Sequence, residues 1–147
     1  MISPRATGPG RAILGTHRIF VMARMFETSE ESGIFVVRLG GERSSRVEDD
    51  NAELTNFWTG VASAMRQAGL HRLLGVVSVR GTLRSLDIPG FYRRLGEMGF
   101  KADMRLAIVF AVPDQERQVL QLGVEGGARD GWTIRHFVSE TEAREWL

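Results

Sequence analysis

The chain has 147 residues, a formal net charge of +1, 43% apolar residues and 25% charged residues. That length is enough for one domain with its own core. No apolar stretch approaches the roughly 20 residues that span a bilayer, and no charge excess points to nucleic acid or a membrane surface. The absence of cysteine excludes disulfides and thiolate chemistry. Lys101 is the only lysine, so arginine supplies nearly all the positive charge. We read that bias as a GC-rich, bacterial coding sequence and expect a cytoplasmic protein.

Residues 1–21 are expected to form an extension outside the fold, with the domain over 22–147. Met1 to Thr16 mix Pro and Gly (Pro4, Gly8, Pro9, Gly10) with little apolar pattern, and the first acid is Glu27. The apolar core of a secretory signal is missing. A disordered extension, or a functional start at Met22 or Met25, accounts for this composition. Two strand-like runs follow, Ile19 to Thr28 and Ile34 to Leu39. The polar connector Ser29 to Gly33 between them is hairpin chemistry, because Gly supplies the positive φ of the return.

Asn51 to Ala68 reads as an amphipathic helix, with Leu54, Phe57, Trp58, Val61, Ala62 and Met65 on one face. Asp50 or Asn51 is expected to cap its start and Gly69-Leu70 its end. Leu73 to Val79 is the next strand, followed by the basic loop Arg80 to Leu86. Asp87 is expected to cap a second helix with Pro89 in its first turn and Phe91, Leu95 and Met98 as its stripe, ended by Gly99-Phe100. Met104 to Val112 is an almost unbroken apolar run, the signature of a central strand covered on both faces. A third helix starts at Asp114 and carries Val119, Leu120 and Val124, with its end weakened by Gly123, Gly126 and Gly127. The last strand is Thr133 to Val138. Ser139-Glu140-Thr141-Glu142 then forms a capping box for a terminal helix bearing Ala143, Trp146 and Leu147. The order ββαβαβαβα predicts an α/β fold with a single mixed sheet.

From Met25 onward the chain resembles the SpoIIAA-like branch of the STAS superfamily. The residues that carry the resemblance are the hairpin Met25-Phe26-Glu27 with Gly33-Ile34-Phe35-Val36-Val37, the strand Arg105 to Val109, and the ending Ile134 to Leu147 with its Ala-x-x-Trp-Leu helix. The resemblance implies an opening hairpin, a single mixed sheet with helices, and no cofactor. In anti-sigma-factor antagonists of that superfamily a Ser or Thr is phosphorylated within an Asp-Ser/Thr-Ser-Gly-like turn that opens a helix. The corresponding region here is Arg80 to Gly90, and that motif is absent; Thr82 and Ser85 are the nearest hydroxyls, with Arg80 and Arg84 beside them.

Other chemistries find less support. His17, His71 and His136 are scattered, without zinc-ligand spacing. There is no Gly-x-Ser-x-Gly elbow for a nucleophile and no phosphate-binding Gly-x-x-x-x-Gly-Lys-Ser/Thr loop. Arg80, Arg84, Arg93 and Arg94 lie around a helix start, an arrangement suited to an anion. Phe91 to Phe100 resembles the helix end of GNAT acetyltransferases, but Gln67-Ala68-Gly69-Leu70-His71 has the wrong spacing for their coenzyme A turn. The expected function is a non-catalytic, regulatory or small-ligand-binding STAS-like domain; the alternative is a GNAT-like acyltransferase. The expected ligand residues are Arg80, Thr82, Arg84, Ser85 and Asp87, at the carboxyl ends of the parallel strands near Pro113-Asp114 and Ser139-Glu140. There, oppositely directed crossovers would open a crevice. A small anionic or lipid-like ligand would occupy it; the other expected partners are an unknown protein or a second copy of the chain, with no metal, cofactor or nucleic acid.

Overall fold

The computed structural model describes residues 17–21, 24–41, 47–79 and 88–147. They form β1 (His17–Val21), β2 (Arg24–Glu31), β3 (Ile34–Gly41), α1 (Val47–Ala68), β4 (Arg72–Val77), α2 (Ile88–Arg93), α3 (Leu95–Met98), β5 (Arg105–Phe110), α4 (Asp114–Arg129), β6 (Thr133–Phe137) and α5 (Glu140–Trp146). The strands make one six-stranded sheet in the order β1-β2-β3-β4-β5-β6. β1, β2 and β3 pair antiparallel; β3 to β6 pair parallel. The α/β class and the single mixed sheet agree with the alternation of patterns in the sequence.

Three elements differ from expectation. The run from Ile19 to Thr28 is two strands, since Val21 pairs with Arg24 and His17 with Thr28. The extension expected over residues 1–21 overlaps β1, which begins at His17 and pairs with β2. Nothing in Met22-Ala23 has turn chemistry, which is why the run reads as continuous. The helix around Phe91 is two short helices, with the Arg94 amide bonded to the carbonyls of Gly90 and Phe91 at the junction. α1 begins at Val47, so Asp50 and Asn51 lie inside it rather than capping it.

Turn chemistry fixes the rest of the frame. Ser32 and Gly33 alone join β2 to β3, both at positive φ, 54° and 81°. That is the geometry of a two-residue hairpin whose twist matches its strands. α1 and α3 end alike. The Leu70 amide bonds the Met65 carbonyl at 2.9 Å and the Phe100 amide bonds the Leu95 carbonyl at 3.1 Å, with Gly69 and Gly99 left-handed between them.

Alternation along each strand sorts side chains onto two faces. Phe35, Val37, Leu73, Leu106, Ile108 and Ile134 point into the main core, where all of α1 to α4 bury their apolar residues. Gly75 lies among them: a Cβ there would come within 3.2 Å of Ile108 and reach the Trp58 indole at 3.5 Å. The other face presents Ile34, Val36, Leu74, Ala107 and Val109, and α5 is packed on it through Ala143, with Trp146 and Leu147 alongside. Four helices on one face, joining strands in sequential order, mean that each crossover advances the same way. The oppositely directed crossovers expected to open a crevice at the strand ends do not occur in this topology, and the openings lie between neighbouring helices instead. Among the described residues no helix is long and apolar enough to cross a membrane.

Candidate functional site

Arg80, Thr82, Arg84, Ser85 and Asp87 lie outside the described residues, which resume at Ile88 with α2. At the other two strand ends, the expected residues have structural partners. Asp114 is ion-paired with Arg117 in the first turn of α4. The Ser139 hydroxyl accepts the Glu142 amide at 3.3 Å, which is the forward limb of the capping box. Glu140 accepts both guanidinium nitrogens of Arg38, at 2.7 and 3.0 Å. The first two are contacts local to α4 and α5, and the third ties α5 to β3. The structure does not gather them into one site.

The Arg38–Glu140 pair belongs to a charged border along α5. Arg144 donates to Glu31 at 2.8 Å and approaches Glu140 at 3.9 Å. The Arg38 guanidinium, by its hydrogen bonds, holds the Glu140 carboxyl below its usual range, and Arg144 does the same for Glu31. Arg38 is shifted upward by the same bonds to Glu140. At the far end of α5, Arg105 stacks 4.3 Å over the Trp146 ring and donates to the Trp146 carbonyl at 2.6 Å. This second face of the sheet is thus closed by one short helix, tied at both ends by arginines from β3 and β5.

His71 and His136 each lie beside a single carboxylate. His71 lies 3.3 Å from Asp103, and His136 lies 3.2 Å from Glu125, on different elements. Among the described residues no group of three or more His, Asp or Glu could hold a metal ion.

An opening lies between α2 and α4. This cleft of about 440 Å³ is lined by Tyr92 and Arg93 of α2, by Val119, Leu122, Gly123, Gly126 and Arg129 of α4, and by Asp130. Tyr92 is buried, and burial alone pushes its phenol above its ordinary value, so it is a neutral wall of the cleft. Val119 and Leu122 leave 45% and 64% of their surface exposed. Of the three apolar residues that α4 was expected to carry, Leu120 and Val124 face the core and Val119 faces the cleft. The two adjacent glycines lie on different sides of α4. Gly127 is buried, and a Cβ there would sit at ordinary contact distance from Ile134, 3.4 Å, and Tyr92, 3.6 Å. Gly126 lines the cleft, and a Cβ there would meet only the Arg129 guanidinium, at 3.7 Å.

Of the arginines singled out by sequence, Arg93 is at this cleft, but at the end of α2 rather than its start. Arg129, Val119 and Leu122 were not expected there. The available signal was three glycines within one helix, which read as a weak helix end. Compared with known proteins, the chain matches no family model and no curated protein.

Proposed function

We propose that the chain is a non-catalytic binding module, as its resemblance to the SpoIIAA-like branch of the STAS superfamily implies, and that it binds a small molecule in the cleft between α2 and α4. The cleft is the observation that carries this reading. Its volume falls within the roughly 300–1,000 Å³ of small-molecule sites, and such sites combine apolar walls with a few polar groups. Val119, Leu122 and Tyr92 supply the walls, and Arg93, Arg129 and Asp130 the polar groups. The opening hairpin and the single mixed sheet are compatible with the resemblance. Arg80, Thr82, Arg84, Ser85 and Asp87 precede α2 in sequence and are to be tested as ligand contacts by substitution.

Native mass measurement of the protein purified from its own host tests this reading, with acetyl-coenzyme A turnover measured on the same sample. A co-purifying small molecule and no turnover are expected. Consumption of acetyl-coenzyme A with transfer to an amine would replace binding by the GNAT-like acyltransferase reading.

A further inference from the structure

We infer that the cleft between α2 and α4 selects an organic anion with a compact apolar body, its acid group held between Arg93 and Arg129; this rests on the cleft being the binding site. Arg93 and Arg129 are exposed and make no ion pair with another described residue, whereas Arg38, Arg117 and Arg144 are all paired with carboxylates. Asp130 is the single acid in the lining, so two guanidiniums face one carboxylate and the cleft is net positive. A guanidinium offers a planar fork that matches a carboxylate or phosphate. Below these groups the walls are apolar, from Val119, Leu122 and the ring of Tyr92. An inorganic anion would leave those walls wet, and an uncharged apolar molecule would leave the two like charges uncompensated. Gly126 supplies the third observation. No protein group but the Arg129 guanidinium comes within 4 Å of where its side chain would be, so its bare backbone widens the cleft beside that charge.

The test is an amide NMR titration of the full chain with naphthoate, naphthylmethanol and inorganic phosphate in parallel. Naphthoate should shift Arg93, Val119 to Gly126 and Arg129, and bind more tightly than either other probe. Arg93→Gln with Arg129→Gln should weaken naphthoate by about tenfold to a hundredfold, the worth of one or two charge-assisted hydrogen bonds, while the thermal melt stays unchanged. Gly126→Leu should abolish the shifts by filling the cleft. Equal binding of naphthylmethanol would overturn the anion assignment, and phosphate shifting the same residues as strongly would overturn the apolar body; either result leaves the cleft as a binding site. Shifts from all three probes lying away from α2 and α4 would overturn the cleft itself.

Discussion

Gly126 costs α4 stability and fills no packing role, because a glycine in a helix interior is worse than alanine by roughly 1 kcal/mol. Gly126→Ala should therefore raise the unfolding free energy by about 0.5–1 kcal/mol in a urea titration, since the new methyl meets only the movable Arg129 head group at 3.7 Å. Gly127→Ala is also accommodated, because its methyl would sit at ordinary contact distance from Ile134, 3.4 Å, and Tyr92, 3.6 Å. Trp146 requires a smaller figure than its position in the sequence suggests. The Ala-x-x-Trp-Leu ending reads as a core anchor, and a fully buried Trp would cost roughly 3–5 kcal/mol on truncation. In the structure Ala143 is buried but Trp146 is only half-buried, against Phe137 and under Arg105. Trp146→Ala should cost about 2 kcal/mol, again by urea unfolding. Residues whose role is local were legible: Gly69 and Gly99 end helices because only the left-handed turn allows those caps. Val119 was not, because a 3–4 spacing names two adjacent faces of a helix and does not say which has a neighbour.

At the scale of elements, α5 shows how charge and packing divide the work. Its start was readable, because a Ser three residues before Glu is a local device. Its partners were not, because Arg38 and Glu31 are separated from Glu140 and Arg144 by more than 100 positions. These ion pairs are partly exposed, so each contributes at most about 1 kcal/mol. Their pH dependence has a definite sign. Glu140 and Glu31 have folded-state values below the ordinary 4.5. Their contribution is therefore complete above about that pH and is lost as the pH falls through the lower folded values. Amide exchange of α5, corrected for intrinsic rates, should show constant protection from neutral pH down to about 4.5 and a loss below it. Glu140→Gln should lower the protection at neutral pH and flatten the acid dependence. An unchanged acid profile in that variant would mean that apolar contact at Ala143 alone holds α5.

For the whole molecule, alternation of patterns revealed the α/β class, and the length and purity of the Met104 to Val112 run identified β5 as an interior strand. Strand order was hidden, because it depends on which way each crossover steps, and no local residue encodes that. The sequential order leaves β1 and β6 at the two ends of the sheet, and the edge at β1 gives the sharpest test of where the domain begins. Composition sets that boundary after residue 21, and on that basis a chain starting at Met22 should be as stable as the whole. The structure gives β1 five paired positions with β2, from His17↔Thr28 to Val21↔Arg24. A chain starting at Met22 would lose that ladder and leave β2 as a bare edge, open to pairing with other molecules. It should melt at a lower temperature than the full chain and associate as its concentration rises, by light scattering. A chain starting at His17 keeps β1 and should differ from the full chain less than the Met22 chain does. Equal melts for the Met22 chain and the full chain would show that β1 adds nothing to the sheet and that the domain begins at β2.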